Sequence, residues 1–74
     1  MYEVNDIIFD LNSGQTLQVG RETFKALLVH SKNSRGEFEL WIPKSLISYK
    51  YRDKNNTHVV RLSDWYTSQN FNKL

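Results

Sequence analysis

The chain has no cysteine. This excludes a disulfide framework, a thiolate zinc site and a thiol nucleophile, and it favours a reducing, intracellular compartment. The three glycines are isolated from one another, so no glycine-rich phosphate loop is present. The amino terminus carries acids where a signal peptide needs basic residues, and no apolar run approaches membrane-spanning length. We therefore expect a cytoplasmic protein without a membrane segment.

The length of 74 residues leaves room for one hydrophobic core, so we expect a single domain over residues 1–74. Ordering costs roughly 1.5 kcal/mol per residue, and nearly every large apolar side chain is therefore needed inside. The net charge of +2 is unevenly divided, because the first 20 residues contain three acids and no lysine or arginine. A basic carboxyl-terminal part suggests a polyanionic partner, and chance clustering of solvated charge is the competing interpretation.

The first half of the chain contains two candidate hairpins. Between residues 2 and 11 the apolar positions fit both an alternating strand and an amphipathic helix, so this segment stays open between the two. The turn residues at 12–15 and the alternation over 16–19 indicate a hairpin if the strand forms. The most hydrophobic run, 24–30, predicts a central strand that is apolar on both faces, and alternation over 37–42 predicts its partner.

The second half begins at Pro43, which lacks the amide that a strand ladder needs. We expect the strand to end there and a helical or 3₁₀ turn to follow. A third hairpin is predicted over 49–62. Ser63 is a suitable N-cap for a short helix ending near Gln69, with residues 70–74 as a tail in which Phe71 docks. The prediction is a mainly β domain (small α+β), with four to six antiparallel strands as a compact barrel or curled sheet and one short C-terminal helix. Apolar character on both faces of the central strand favours closure.

Three segments resemble a group of small, uncharacterised phage and prophage proteins with a Trp-(Leu/Ile)-Pro-Lys-Ser core motif. They are 25–29 (Lys-Ala-Leu-Leu-Val), 41–47 (Trp-Ile-Pro-Lys-Ser-Leu-Ile) and 60–65 (Val-Arg-Leu-Ser-Asp-Trp). Leu46 stands where this group often has glutamine. The resemblance covers residues 21–66, sets 1–20 apart as an amino-terminal extension, and implies phage origin, a host-cell cytoplasmic location and a compact β fold. It implies no reaction.

Residues suited to catalysis or metal binding are scarce. His30 and His58 fall on different predicted strands, and a metal site needs three or four ligands. Glu37 and Glu39 share a strand face, which in an antiparallel sheet is most often the solvated one. We expect no catalytic residue, no metal and no cofactor.

The main functional hypothesis is nucleic-acid binding by a basic hairpin. On a regular strand Lys50, Arg52 and Lys54 project together and can meet phosphates, while Tyr49 and Tyr51 face the core. A solvated hairpin without a partner is the competing interpretation, and the pattern does not distinguish DNA from RNA. The predicted nucleic-acid contacts are Lys44, Lys50, Arg52, Lys54 and Arg61.

The alternative hypothesis is a phage-encoded inhibitor, like an anti-CRISPR protein, that docks on a host defence or nucleic-acid-handling protein. Acidic side chains would imitate phosphates toward a basic groove. The predicted protein contacts are Glu3, Asp6, Asp10, Glu37, Glu39 and Trp41. A third possibility is a homodimer that closes an exposed sheet edge.

Overall fold

One six-stranded sheet and one short helix form the domain. The computed structural model describes residues 2–33 and 36–71, apart from the side chain of Asn33. The strands are β1 (Ile7–Asp10), β2 (Thr16–Glu22), β3 (Ala26–Asn33), β4 (Gly36–Pro43), β5 (Ile47–Arg52) and β6 (His58–Leu62). A 3₁₀ turn, Lys44–Leu46, joins β4 to β5, and the helix α1 spans Asp64–Asn70. The predicted mainly β fold with a short C-terminal helix is confirmed.

The strand order is β4-β3-β2-β1-β6-β5, which makes β4 and β5 the two edges. All neighbouring strands are antiparallel except β1 and β6, which pair in parallel. The two edge strands are separated in sequence by only the three residues of the 3₁₀ turn, so the sheet must curl to bring their ends together. The sheet remains open and does not close into a barrel.

The segment between residues 2 and 11 contains the strand β1, which settles the choice between strand and helix. The approach to β1 is also ordered, since the Asn5 amide donates to Val19 O at 2.7 Å and the Val19 amide donates to Asp6 O at 2.9 Å. β1 lies between β2 and β6 in the middle of the sheet. The described part of residues 1–20 is thus integral to the sheet.

The prediction that Phe24 opens the central strand is wrong, because β3 begins at Ala26 and the Phe24 side chain is 90% exposed. Thr23 explains the difference. Its Oγ1 accepts from the Ala26 amide at 3.1 Å, and its own amide donates to Ala26 O at 2.9 Å. This local turn holds Phe24 at its tip, outside the ladder. The core face of β3 is carried by Leu27 and Val29, which are fully buried.

The structure confirms the alternation predicted for β4. Ile42 is buried and Phe38 and Leu40 pack against the core, while Glu37, Glu39 and Trp41 are exposed. Pro43 is the last residue of β4, and the 3₁₀ turn follows it directly.

The carboxyl-terminal helix forms as predicted. The Ser63 side chain caps α1 by accepting from the Tyr66 amide at 3.1 Å, and Phe71 is buried beyond its end. The tail predicted over 70–74 lies, from residue 72 onward, outside the described residues.

The Asp10 carboxylate is completely buried and accepts four hydrogen bonds. Oδ1 accepts from the amides of Asn12 at 3.1 Å and Leu62 at 2.8 Å. Oδ2 accepts from the amide of Ser13 at 3.0 Å and its hydroxyl at 2.6 Å. The carboxylate therefore joins the β1–β2 turn to the end of β6.

We predict that Asp10→Asn lowers the free energy of unfolding by about 3 kcal/mol, because an amide NH₂ then faces donors that need an acceptor. Urea denaturation followed by circular dichroism measures the change. Glu39→Gln is the matched control on the exposed face and should stay within about 0.5 kcal/mol of the parent. Equal stability of the two variants would contradict the structural role of Asp10.

Candidate functional site

A β-bulge in β5 changes which side chains of the β5–β6 hairpin share a face. Tyr49 pairs with Val60 and Tyr51 pairs with the adjacent Val59, so β5 has one extra residue, Lys50. Neighbouring residues of β6 point to opposite faces, and paired residues share a face. The bulge therefore places Tyr49 on the core side and Tyr51 on the outer side. A regular strand would have put both on the same side.

The bulge overturns two predictions about this hairpin. Arg52 was predicted to lie on the face opposite both tyrosines, but it pairs with His58 and so lies on the core side of the sheet together with Tyr49. The tyrosines are not core residues either, since Tyr49 is 42% and Tyr51 is 56% exposed. On the outer face Tyr51 is the first residue of a cross-strand row that continues through Val59 to Phe9 of β1.

Three of the five predicted nucleic-acid contacts are held by acids. Lys44 pairs with Glu22, Arg52 Nη2 lies 3.6 Å from Asp6 Oδ2, and Arg61 Nη2 donates to Asp64 Oδ1 at 3.2 Å. The other two, Lys50 and Lys54, are exposed and make no ion pair with any residue that the structure describes. The predicted cluster of five free cations is thus reduced to two free lysines, with Arg61 on the outer face beyond Val59.

On the core side of the same hairpin, His58 is buried between a carboxylate and a phenol. Its Nε2 lies 2.8 Å from Asp6 Oδ2, and its Nδ1 lies 2.9 Å from the Tyr49 hydroxyl. Because an ionised carboxylate only accepts, Nε2 carries a proton, and in the neutral imidazole the Tyr49 hydroxyl donates to Nδ1. The Tyr2 ring packs edge-on against the His58 ring, with 4.9 Å between the two ring centroids. This network ties the amino-terminal segment to β5 and β6.

Two carboxylates of this region have a lowered pKa. The pKa of Asp6 lies below its ordinary value mainly because His58 donates to it, with the Glu3 amide and the Arg52 charge also contributing. The pKa of Glu22 is lowered mainly by the hydrogen bond from Lys44, and the Tyr2 amide adds to this effect. Both effects outweigh the burial that disfavours each charged form.

The predicted acidic surface is divided by the fold. Asp10 is inside the protein and cannot present its charge, while Asp6 is engaged by His58 and Arg52. Glu3 is exposed in the segment that precedes β1. Glu37, Glu39 and Trp41 do share the exposed face of β4, as predicted, and Trp41 is 47% exposed.

An apolar strip beside Trp41 was not predicted. In the ladder Trp41 pairs with Leu28 and Pro43 pairs with Ala26, which places all four on the outer face. Phe24 and Pro43 also line one shallow groove, where the Lys44 amide donates to Lys25 O at 2.8 Å. The hydrophobicity of Phe24 predicted a core position. The only sequence feature that indicated a turn instead was Thr23, whose hydroxyl can hydrogen-bond the backbone on the far side of Phe24.

The two sheet edges are protected against strand addition. On β4, the carbonyl of Trp41 accepts from the Tyr66 hydroxyl of α1 at 2.8 Å, and the strand ends in proline. On β5, the edge carries the bulge and Lys50. Prolines, bulges and lysines are common devices that keep edge strands from pairing with other chains. Both edges thus carry features that oppose strand addition, and the edge-to-edge homodimer stays a prediction.

Comparison of the chain with models of known protein families, with curated proteins and with solved structures gives no match. Within residues 2–33 and 36–71, no group of three histidine, cysteine or acidic side chains is placed to hold a metal ion. In the same residues no helix has the length and apolar character to cross a membrane. The two exposed outer surfaces, on the β5–β6 hairpin and on the β3–β4 pair, are the candidate sites.

Acid should destabilise the fold through Asp6 and Glu22. A carboxylate whose folded pKa is lowered contributes stability that is fully present above its ordinary value, here 3.8 and 4.5, and is lost as the pH falls through the folded value. We predict that the melting temperature decreases as the pH is lowered below about 4.5. This decrease should be smaller in Asp6→Asn and in Glu22→Gln than in the parent. Glu3→Gln, at an exposed position, is the control. Parallel acid limbs in all variants would refute the assignment.

Proposed function

We propose that this protein is a non-enzymatic accessory protein of phage type that binds single-stranded nucleic acid through the outer face of the β5–β6 hairpin. The observation that carries the proposal is the exposed ring of Tyr51, which the bulge moves out of line with Tyr49 and onto the outer face. A half-exposed tyrosine ring on an open sheet face can stack on a base, whatever the sequence of the strand.

The cations around this ring support the proposal. Lys50 precedes Tyr51 and Lys54 lies in the adjoining turn, and both ammonium groups are exposed without an acid partner among the described residues. Arg61 lies on the same face, and its bond to the largely exposed Asp64 leaves half of its side chain open to solvent. Phosphates of a strand stacked on Tyr51 could therefore meet positive charge on both sides of the ring. Lys44 and Arg52, held by acids elsewhere, are not part of this proposed site.

A single-stranded oligonucleotide of about 20 bases should bind with a strong salt dependence. We predict that Tyr51→Ala weakens the affinity by about five- to 150-fold, because a base stacked on an aromatic ring contributes about 1–3 kcal/mol. Lys50→Gln with Lys54→Gln should reduce the slope of log K against log salt by about 1.4. Fluorescence anisotropy with labelled DNA and RNA strands, and with a duplex, measures the salt dependence, the effect of Tyr51→Ala and the effect of the two lysine substitutions.

The matched control for the lysine pair is Arg21→Gln with Lys25→Gln, which removes the same charge from the β2–β3 region. Both residues are exposed and make no ion pair with another described residue. This control should lower the affinity only slightly and leave stacking intact. If Tyr51→Ala binds like the parent, or if both pairs lower the salt slope equally, binding does not depend on the hairpin.

A second candidate function is docking on a host defence or nucleic-acid-handling protein, favoured by the exposed Trp41 with Glu37 and Glu39 on one face. An exposed tryptophan next to acidic residues would fit an apolar pocket with a basic rim on the partner protein.

Affinity capture from host lysate, with and without nuclease treatment, separates the two functions. We predict that, if the protein docks in this way, a partner protein is still captured after nuclease treatment. The Trp41→Ser variant should not capture it, whereas the Tyr51→Ala variant should. Loss of every captured protein after nuclease treatment would exclude the docking function and leave nucleic acid as the ligand.

A further inference from the structure

The outer face of β1 is apolar. Ile8 and Asp10 are buried on the core side, so the alternation of the strand places Ile7 and Phe9 on the outer face. Ile7 is 38% exposed, and Phe9 is partly exposed. Because β1 lies between β2 and β6, these side chains form an apolar stripe in the middle of the sheet. Such a stripe on a small protein is a candidate binding surface.

Phe9 and Tyr51 lie on either side of one valine. Phe9 pairs with Val59 of β6, and Val59 pairs with Tyr51 of β5. Val59 is buried although it does not belong to the core cluster, so side chains of the outer face cover it. The three side chains therefore form one continuous apolar surface. Phe9 and Tyr51 are two strand spacings apart, which is about 10 Å.

The charges around this apolar surface are mainly positive. Among the residues that the structure describes, none of the outward side chains of β5, β6, β1 and β2 is acidic, because Asp10 and Glu22 lie on the core side. Asp53 and Asp64 flank the hairpin, where Asp53 accepts from amides of its own turn and Asp64 pairs with Arg61. A flat apolar centre with cations at its side suits a ligand that carries both rings and negative charge, as single-stranded nucleic acid does.

We propose that Phe9 is a second base-stacking site, so that a single strand crosses the sheet from Tyr51 over Val59 to Phe9. This inference rests on the proposed function and extends its site from the β5–β6 hairpin to β1. Bases of a stacked strand follow one another at about 3.4 Å, whereas the two aromatic residues are about 10 Å apart. The two rings therefore stack on different bases of the same strand.

Beyond Phe9 the path continues into a shallow groove of about 370 Å³ on the same face. Its outward lining residues are Ile7, Thr16, Gln18, His30 and Lys32, with Glu37 at the end that lies on the edge strand β4. Lys32 Nζ is 3.8 Å from Glu37 Oε1, and its side chain is 77% exposed, so it is accessible to a phosphate. Glu37 and Glu39 would repel a strand that continued toward Trp41. The path should therefore stop short of Trp41.

Phe9→Leu tests the second stacking site, because leucine keeps an apolar side chain beside Val59 and removes the ring. We predict that this variant binds a strand of about 20 bases about fivefold or more weakly than the parent. Phe9→Tyr keeps the ring and should bind within about twofold of the parent. Trp41→Ser is the matched control, since it removes a larger exposed ring from the same face and should leave the affinity unchanged. Fluorescence anisotropy measures the affinities, and thermal unfolding shows that each variant is folded.

A second measurement uses the unsubstituted protein and therefore does not depend on the folding of a variant. A base stacked on an aromatic ring shields the protons of that ring. The NMR signals of the Phe9 and Tyr51 ring protons should both move upfield as the strand is added, while those of the Trp41 ring stay in place.

The outcomes separate this inference from the proposed function. Weaker binding by Tyr51→Ala, with no effect of Phe9→Leu and no shift of the Phe9 signals, overturns the second stacking site and leaves the hairpin site standing. An equal loss of affinity in Trp41→Ser and Phe9→Leu overturns the path that ends before Trp41. A parent that binds no single strand refutes the proposed function and this inference with it.

Discussion

The buried carboxylate of Asp10 is the constraint on which the architecture depends. A charge inside a small protein is tolerated only if donors replace its water, and here three backbone amides and one hydroxyl do so. Those donors come from the β1–β2 turn and from Leu62, at the end of the strand that pairs in parallel with β1. Asn12, positioned by the same turn, donates to Leu62 O at 3.0 Å and to Asp64 Oδ1 at 2.7 Å. One side chain thus organises a hairpin, a parallel pairing and the start of the helix.

The strands were predicted well where the alternation of apolar and polar residues agrees with the positions of strand-ending and helix-capping residues. Leu40 and Ile42 alternate with exposed residues up to Pro43, and Ser63 caps a short helix, so local chemistry and tertiary packing require the same structure. The parallel pairing of β1 with β6 could not be inferred, because it depends on the long-range bond from Leu62 to Asp10 rather than on any local pattern. For the same reason Asp10 was predicted to be a surface acid, although its side chain is completely buried.

The candidate site was predicted less well, and the bulge is the physical reason. One extra residue on β5 separates Tyr49 from Tyr51 and moves Arg52 to the core side, while composition and spacing are those of a regular strand. The ion pairs could not be predicted either, since Glu22 is 22 residues from Lys44 and Asp6 is 46 residues from Arg52. The expected burial of Phe24 was also wrong, because the hydrogen-bonded turn at Thr23 holds this residue at its tip, outside the ladder.

The Trp-Ile-Pro-Lys segment shows how one short stretch can serve both fold and surface. Ile42 fills the core and Pro43 ends the ladder, while the Lys44 amide fastens the 3₁₀ turn to the β2–β3 turn. These roles fix the backbone on both sides of the exposed residues, so the Trp41 and Pro43 rings are held at a set spacing on a rigid face. A rigid apolar pair loses little conformational entropy on association, which makes even a small contact effective. Under the proposed docking function, this constraint by the core would lower the entropic cost of binding at the β3–β4 face.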